Sequence, residues 1–328
     1  MRVVITGSSG QFGSNLAVRG LESGHQVIGI DFRRNEWTDA FESVLMDLTQ
    51  SSASTSLASP SGWQRPDVVV HLAAHAKVRE LVLDPQRALA NMVMTYNVLE
   101  YCRRAEVPIV FSSSREVYGD IERHCTREED ADFTSCESPY SASKIACEAL
   151  IYSYARCYDL PFLVCRLSNV YGRYDSDLHR MARVVPWFIH QIFNDEPITV
   201  FGPEKVLDFT YVDDCVAALM SGIERLGDGR IKNETVNVAS GVGHSLQELA
   251  GYVASFAGKV PQIVLAPART GEIIRYVGNV EKARVLLGFH PKTTLEDGIR
   301  HAIAWTKEWS RARVGVRRSI IPRGANPV

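Results

Sequence analysis

Short apolar runs alternate with longer helical patterns along the first half of the chain. The runs are continuously apolar, which is typical of strands covered by helices on both faces of a parallel sheet. They predict strands at residues 2–6, 26–30, 67–72, 108–113 and 161–167. Helices are predicted near residues 12–23, 85–105 and 139–158. This alternation indicates βαβ units, so we predict an α/β fold with a Rossmann-type doubly wound parallel sheet.

The second half of the chain has a different pattern. After Leu167 the alternation ends, and Pro and Gly interrupt the chain at short intervals. We therefore expect a smaller C-terminal domain interleaved with the sheet domain. The expected sheet domain covers 1–167 with 203–238 returning to it, the smaller domain covers 168–202 and 239–310, and a solvated, partly disordered basic tail covers 311–328.

Two local patterns refine this organisation. The polar, low-complexity stretch at 49–62 predicts an exposed connection. Ser245, followed three residues later by Glu248, predicts a capping box at the start of a helix near 245–257.

The composition excludes several functional classes. The 328 residues include 36 Lys and Arg against 38 Asp and Glu, a formal net charge of −2. A protein that binds nucleic acid by neutralising phosphates would show a basic excess, so we expect no nucleic-acid partner. The longest apolar runs fall well short of the roughly 20 residues that a membrane helix needs. We therefore expect a soluble, cytoplasmic protein without a membrane partner.

The cysteines give no sign of a disulfide framework or a metal centre. There are seven of them, an odd number, and none lies in a CxxC spacing. This pattern is typical of reduced thiols scattered through a core, and no metal is expected.

A glycine-rich segment follows the first predicted strand and opens the first predicted helix. Gly7, Gly10 and Gly13 lie at the spacing GxxGxxG in 6-TGSSGQFG-13. Glycines at these positions allow a tight turn, the close approach of a pyrophosphate and packing of the helix against the sheet. Asp31 ends the second strand 18 residues after Gly13, where its carboxylate can accept hydrogen bonds from an adenosine ribose. The pattern predicts a dinucleotide site.

Charge at the end of the second strand bears on which dinucleotide binds. Asp31 would repel the 2′-phosphate of NADP, whereas Arg33 and Arg34 could offset that repulsion. We expect NAD. Farther along the chain, Asp47 and Leu48 could hold the adenine, and 72-LAA-74 supplies small side chains where a dinucleotide passes close to a strand.

Tyr140 and Lys144 lie four residues apart at the start of a predicted helix. This spacing places both side chains on one helix face. A nearby cation favours the phenolate of a tyrosine, whose ordinary pKa is about 10, and so suits a general base. Ser114, in 112-SSSREVYG-119, lies at the carboxyl end of the fourth predicted strand, where sheets of this class bind their ligands. A serine there can hydrogen-bond the substrate oxygen that the tyrosine deprotonates.

Taken in order, these motifs resemble the extended short-chain dehydrogenase/reductase family, in its nucleotide-sugar epimerase/dehydratase branch. The resemblance extends to about residue 307, and it rests on TGSSGQFG, Asp31, HLAA, SSSREVYG, YSASK, LSNVYG and 208-DFTYVDD-214. It implies that the sheet domain binds NAD, that the smaller domain binds a nucleotide sugar, with a UDP-sugar favoured, and that the protein forms a homodimer through a four-helix interface.

The resemblance also implies roles for individual residues. Tyr140 would be the base, Lys144 would hold the nicotinamide ribose, Ser114 would orient the sugar hydroxyl, and Glu116 would be a further catalytic candidate. The cofactor would contact Gly7, Gly10, Gln11, Phe12, Gly13, Asp31, Phe32, Arg33, Asp47, Leu48, Leu72, Ala73, Ala74, Lys77, Asn91, Ser112, Tyr140 and Lys144. The substrate would contact Ser114, Arg115, Glu116, Tyr140, Asn169, Arg183, Val184, Thr199, Val200, Phe201 and Arg275.

The residues after the fourth strand bear on the reaction. Glu116 aligns with a glutamate that the family's dehydratases and hexuronate decarboxylases use after oxidation at C4. Dehydratases typically carry an acidic aspartate before it, where this chain has Arg115, and a guanidinium is not a proton donor at neutral pH. Leu207 stands where many family members carry an arginine, which weakens the decarboxylase hypothesis.

A UDP-sugar 4-epimerase that acts through a transient 4-keto sugar is therefore our first hypothesis. Its substrate would be a hexose or a hexuronate, since Arg115 could pair either with a C6 carboxylate or with a nearby glutamate. The alternatives are a decarboxylase or 4,6-dehydratase that uses Glu116, a simple reductase that consumes the cofactor stoichiometrically, and a non-catalytic protein that senses NAD.

Overall fold

The computed structural model describes residues 1–57, 64–120, 125–175 and 183–320, with only the backbone described over 311–320. The strands are β1 Arg2–Thr6, β2 Gln26–Asp31, β3 Glu42–Leu45, β4 Val68–His71, β5 Ile109–Ser114, β6 Phe162–Leu167, β7 Asn169–Tyr171, β8 Ile198–Phe201, β9 Val206–Tyr211, β10 Glu234–Val238, β11 Gly243–Ser245, β12 Ile263–Ala266 and β13 Arg275–Tyr276. The helices are α1 Gln11–Glu22, α2 Ala53–Ser56, α3 Val78–Leu83, α4 Gln86–Ala105, α5 Pro139–Tyr158, α6 Val184–Phe193, α7 Val212–Gly227, α8 Leu246–Ala257, α9 Glu281–Leu287 and α10 Leu295–Ile320.

A parallel sheet forms the centre of the protein. In the described part of the chain it has seven strands in the order β10-β6-β5-β4-β1-β2-β3. The strand order reverses between β1 and β4, so the carboxyl ends of β1, β2, β4 and β5 converge on one crevice. The predicted Rossmann-type fold is confirmed. The strands and helices predicted in the first half agree with the structure to within one residue at each end.

Helices cover both faces of the sheet, which explains why its strands are continuously apolar. Val3 and Ile5 face a core that includes Leu16 of α1 and Leu219 of α7. The intervening Val4 faces the opposite core, which α4 and α5 complete. Because alternate residues of a strand point to opposite faces, each strand needs apolar side chains at every position.

The second half builds smaller sheets beside the central one. Strand β9 pairs in parallel with β7 and β13 and antiparallel with β11, and β8 pairs with β12. Helix α7 returns to the central sheet and packs in the same core as α1, and β10 then adds the edge strand next to β6. The domain boundaries given above remain a prediction. The capping box of α8 is confirmed, since the Ser245 hydroxyl accepts from Glu248 N at 3.1 Å and the Glu248 carboxylate from Ser245 N at 2.6 Å.

The structure shows helix in two segments whose sequence predicts little regular structure, and it corrects the expectation for the first of them. The polar stretch at 49–62 is not wholly an exposed connection, because Ala53 and Leu57 at the short helix α2 are buried in the core; residues 58–62 lie outside the described part. The tail expected to be solvated and partly disordered begins as a helix, since the backbone of α10 continues through residue 320; residues 321–328 lie outside the described part, and the expectation for them stays a prediction.

The seven cysteines are all free thiols, but only some of them are core residues. The four buried ones are Cys102, Cys147, Cys165 and Cys215, whereas Cys125 and Cys157 are exposed and Cys136 is half-buried. Within the described ranges, no helix is both long and apolar enough to cross a membrane, and no three His, Cys, Asp or Glu side chains gather as metal ligands would.

Candidate active site

Two glycines of the segment between β1 and α1 have no room for a side chain. Gly7 has φ +72°, and a Cβ on it would lie 2.7 Å from the backbone nitrogen of Ala73, which follows β4. A Cβ on Gly13 would overlap the carbonyl oxygen of Gly7. The first turn of α1 therefore lies directly against the loop, and its N-terminus points into the crevice, as an anion site requires.

Polar groups of the same loop suit a dinucleotide phosphate. Ser8 Oγ and Gln11 Nε2 are buried and have no hydrogen-bond partner within the described residues. Buried donors without a partner are costly, and a bound phosphate would satisfy them. Phe12, beside Gln11, is half-buried and packs against the core. The loop thus fits the dinucleotide that the sequence predicts.

Asp31, at the end of β2, lies against the loop. Its carboxylate accepts from Ser9 N at 2.9 Å and from Arg33 N at 3.2 Å. Burial raises the pKa of Asp31, and these hydrogen bonds and the Arg33 guanidinium, 3.9 Å away, act in the opposite direction. Arg33 also donates to the Ser9 carbonyl at 3.3 Å, so its guanidinium is held over the loop. Phe32 is exposed.

The segment after β4 forms the opposite wall of the crevice. Leu72, Ala73 and Ala74 are partly buried there, and Asn91 of α4 holds the segment by accepting from His75 N at 2.8 Å and donating to His75 O at 3.1 Å. Asn91 is itself buried, so in this structure it positions the wall.

Three predicted cofactor residues make other local contacts. The Asp47 carboxylate accepts from the side chains of Thr49 and Gln50, which lowers its pKa, while Leu48 is buried in the core. Lys77 pairs with Glu80 at 2.8 Å. Of these three, Asp47 is exposed at the sheet edge where the adenine is expected.

Ser114, Tyr140 and Lys144 come together at the carboxyl end of β5. The Ser114 hydroxyl lies close enough to the Tyr140 phenol to lower its pKa, and Lys144 Nζ donates to the carbonyl oxygen of Ser112 at 2.7 Å. Lys144 Nζ lies 5.9 Å from the centroid of the Tyr140 ring. The Ser138 capping box starts α5 just before the tyrosine and so fixes its place on the helix.

Burial sets the protonation of this group. It raises the pKa of Tyr140 to about 12, against the opposite effect of the nearby Ser114 hydroxyl, and lowers the pKa of Lys144 to about 8. Tyr140 is therefore a protonated phenol at neutral pH unless further positive charge is brought beside it, and Lys144 is mostly an ammonium.

Arg115 and Glu116 follow β5 in a short 3₁₀ turn, Arg115–Tyr118. Arg115 Nη2 and Glu116 Oε1 form an ion pair at 2.9 Å with little solvent exposure. Arg115 Nη1 and Glu116 Oε2 are buried without a hydrogen-bond partner in the ranges that the structure describes. Burial raises the pKa of Glu116, and the Arg115 charge opposes this. The pair thus has one donor and one acceptor left for a bound molecule.

The predicted substrate residues of the second half fall into two groups. Arg183, at the start of α6, contacts Gln11 of the glycine-rich segment, donates to Val170 O at 3.2 Å and lies 3.6 Å from Asp175. This places Arg183 at the cofactor loop. Asn169 of β7 donates to Asp208 O at 3.0 Å.

The second group of predicted substrate residues comprises Val184, the first residue of α6, together with residues of β8 and β13. Val184 and Thr199 are partly buried, and Val200 is fully buried in the core, so its side chain is packing rather than a contact surface. Phe201 lies under the Arg269 guanidinium, which is 3.7 Å from the ring centroid. Arg275 donates its backbone N–H to the Asp120 carboxylate at 3.1 Å.

Several charged residues of the site were missed by the sequence analysis. Lys205 is buried and pairs with Glu272 at 2.7 Å, and both charges act on the pKa of Glu116. Arg269 lies over Phe201 and donates its backbone N–H to Glu272 at 3.2 Å. Asp175 is buried, with a pKa raised to about 7. None lies in a motif with a characteristic spacing, so only the fold reveals them.

Comparison with known proteins agrees with this geometry. Residues 3–239 match the family described as the NAD dependent epimerase/dehydratase family. The chain belongs to this family. It is 32% identical over 324 residues to a UDP-glucose 4-epimerase of Mycolicibacterium smegmatis, a match that covers 95% of this chain and all of the relative.

Solved structures superpose over nearly the whole chain. A Thermotoga maritima UDP-glucose 4-epimerase with UDP-glucose has a TM-score of 0.86 and 27% identity, covering 94% of this chain and 100% of that one. A UDP-glucuronic acid 4-epimerase from Bacillus cereus, in complex with UDP-glucuronic acid and NAD, has a TM-score of 0.83 and 25% identity at the same coverage.

A decarboxylase is also among the relatives. UDP-glucuronic acid decarboxylase 1 of Danio rerio is 28% identical over 93% of this chain and 72% of its own length. The predicted family, the isomerase class of the enzyme and the NAD cofactor are confirmed by these comparisons.

Proposed function

We propose that this protein is an NAD-dependent UDP-sugar 4-epimerase that acts on a UDP-hexose or a UDP-hexuronate. The observation that carries the proposal is the proximity of the Ser114 hydroxyl to the Tyr140 phenol, with Lys144 anchored on the carbonyl of Ser112, two residues before Ser114 in the same strand. An acid/base pair beside a dinucleotide loop suits oxidation and reduction of a sugar hydroxyl.

Each of the three residues has a distinct task in this mechanism. Tyr140 takes the proton from the sugar O4 and returns it after the 4-keto sugar has turned over. The Ser114 hydroxyl receives a hydrogen bond from Glu116 N at 3.2 Å, which orients its own proton toward the reacting oxygen. Lys144 brings positive charge close to the phenol, which favours its ionised form. Bound NAD would accept the hydride from C4 and give it back.

The pairing of Arg115 with Glu116 favours epimerisation over elimination or decarboxylation. The Arg115 guanidinium, 2.9 Å away, favours the ionised form of Glu116 against the rise in its pKa that burial causes, and so makes this carboxyl a poorer proton donor. Leu207, where many family members carry an arginine, is an uncharged side chain buried in the core, so it supplies no positive charge to a phosphate. Decarboxylation through Glu116 remains the second candidate, because one relative is a decarboxylase.

Product analysis tests the proposal. NMR of the purified protein with UDP-glucose, UDP-galactose, UDP-glucuronate and UDP-galacturonate is expected to show interconversion at C4 within one pair without added cofactor. Carbon dioxide release or a stable 4-keto-6-deoxy sugar would instead assign the chain to the alternatives. Stoichiometric consumption of added cofactor would identify a reductase.

The unpaired Nη1 of Arg115 predicts how the sugar is selected. If the substrate is a hexuronate, Arg115→Gln is expected to raise KM for UDP-glucuronate about tenfold while KM for UDP-glucose changes less than about threefold, since one charge-assisted contact is lost. Glu116→Gln is the matched control, because it keeps an acceptor for Arg115 and should preserve the preference. Equal changes in KM for UDP-glucuronate and UDP-glucose would mean that Arg115 only pairs with Glu116 and does not contact the sugar carboxylate.

Quaternary structure is a second part of the proposal. Leu89 and Tyr96 of α4 are seven residues apart and therefore lie on one helix face, and they are 57% and 50% exposed. Exposed apolar side chains in such a row are typical of an interface. We expect a homodimer through α4 and α5, and Tyr96→Glu should shift the mass measured by light scattering toward that of a monomer. Val260→Glu, at a side chain 98% exposed, should leave the mass unchanged.

A further inference from the structure

A buried ion pair lies behind the reactive group and takes no part in the mechanism above. Glu148 and Arg166 are each about 5% exposed. Arg166 donates Nε to Glu148 Oε1 at 2.9 Å and Nη2 to Oε2 at 2.7 Å, the two-pronged geometry of a strong pair. Tyr152 donates to the same carboxylate at 3.1 Å. The charges are therefore fully compensated inside the protein.

The pair is tied to the strand end that carries Ser114. The Ser113 hydroxyl donates to Glu148 Oε1 at 2.5 Å. Glu148 follows Lys144 by one helical turn and Tyr140 by two, so the three side chains form one row along α5. This row contacts three successive residues of β5: Tyr140 meets Ser114, Lys144 meets the Ser112 carbonyl, and Glu148 meets Ser113.

The other side of the pair holds the turn after β5. Arg166 Nη1 donates to the Tyr118 hydroxyl at 3.1 Å and to Glu128 O at 2.7 Å. Tyr118 closes the turn that carries Arg115 and Glu116, and its hydroxyl donates to Asn237 Oδ1 at 2.5 Å. One guanidinium thus joins α5, β6 and the turn on the substrate side of the crevice.

Stability alone gives little reason for such a pair. Desolvation of two charges offsets much of their attraction, and apolar residues of similar volume are often equally stable in their place. What apolar residues cannot reproduce is a directed set of hydrogen bonds to fixed partners. We infer that Glu148 and Arg166 are positioning residues that set the register of α5 against β5 and so hold the Tyr140 phenol against the Ser114 hydroxyl. As a statement about turnover, this inference rests on the proposed function.

The test removes the pair without leaving a charge unpaired. In the double variant Glu148→Leu/Arg166→Met, kcat is expected to fall about 10- to 100-fold, the cost of a misplaced reacting group, while KM and NAD content stay within about twofold. A purely structural role predicts a folded double variant with the kcat of the wild type, and that result would overturn the inference.

Two further variants test whether a loss of kcat comes from the link between the ion pair and β5 rather than from the loss of any buried ion pair. Ser113→Ala leaves the ion pair intact and cuts only its link to β5; we expect it to fold normally and to lose a smaller part of kcat, about three- to tenfold. The control is Glu100→Leu/Arg103→Met on α4, where a similar two-pronged pair also receives a tyrosine hydroxyl, that of Tyr154. Its kcat should not change, and an equal loss there would contradict the inference.

A crystal structure of the Glu148→Leu/Arg166→Met variant, or of Ser113→Ala if the double variant does not fold, separates this inference from the proposed function. We expect the distance between the Tyr140 and Ser114 hydroxyl oxygens to be longer in it than in the wild type. If the wild type turned over no UDP-sugar, the proposed function would fail, yet this structure would still decide whether the pair positions the phenol. An unchanged contact would overturn the inference.

Discussion

Replacing Tyr140 with phenylalanine is expected to lower kcat about 10³-fold, in the range that loss of a general acid/base costs. The variant keeps the ring, which packs against Leu81 and Ala88, and removes only the hydroxyl that meets Ser114. NAD content and the unfolding temperature should therefore stay close to those of the wild type. The measurement is C4 interconversion by NMR together with release of the bound nucleotide on denaturation.

Tyr154→Phe is the matched control for this change. Tyr154 lies on the same helix and is buried to a similar extent, but its hydroxyl donates to Glu100 at 2.8 Å, away from Ser114. Its kcat should stay within about twofold of the wild type, because only a structural hydrogen bond is lost. Turnover that survives in Tyr140→Phe would remove the phenol from the mechanism.

The pH dependence of the wild type follows from the same phenol. Without added positive charge the pKa of Tyr140 is raised to about 12 by burial, so at neutral pH the proton is on the phenol. In the step that oxidises the sugar, Tyr140 accepts the proton of O4, so the active form of the enzyme carries the deprotonated phenol. The rate at subsaturating substrate should therefore rise with pH below the pKa of Tyr140 in the loaded enzyme, and this rise should be absent from the residual rate of Tyr140→Phe.

Parts of the site that depend on local sequence were predictable. The glycine loop, Asp31 and the pair Tyr140 and Lys144 are each set by a spacing that fixes position on a strand end or a helix face. The continuous apolar strands predicted the layered sheet for the same reason, since each strand is buried on both faces.

Contacts between distant segments were not predictable in this way. Glu148 lies 35 residues from Ser113 and 18 from Arg166, and only the sheet brings the three together. Leu48 and Val200 were both predicted to contact a ligand, but their side chains face the core. Which face of a sheet a side chain takes depends on the register of its strand, and the sequence pattern did not reveal that register. Spacing from Lys144 could have pointed to Glu148, since a third member of the row lies one turn farther along α5.

Gly7→Ala is expected to abolish tight retention of NAD. The new Cβ would lie 2.7 Å from Ala73 N and 2.9 Å from Ala73 Cα, and both are backbone atoms that cannot swing away. Either β1 and β4 separate or the loop leaves the crevice, and in both cases the loop's N–H groups no longer converge on a phosphate. We expect the affinity for NAD to fall at least about 100-fold, equivalent to about 2.7 kcal/mol, with activity lost in proportion to occupancy.

Gly24→Ala separates this effect from backbone strain. Gly24 also has a left-handed backbone, with φ +80°, but nothing lies within 4 Å of its Cβ position. The free energy of unfolding of the Gly24→Ala variant should therefore fall by about 1 kcal/mol, because alanine disfavours the left-handed conformation. The variant should keep its NAD. Nucleotide released from equal amounts of the two purified variants, measured by chromatography, gives the comparison. Equal NAD content in the two would mean that close approach of the loop to β4 is not what retains the cofactor, whereas loss in Gly7→Ala alone assigns retention to that approach.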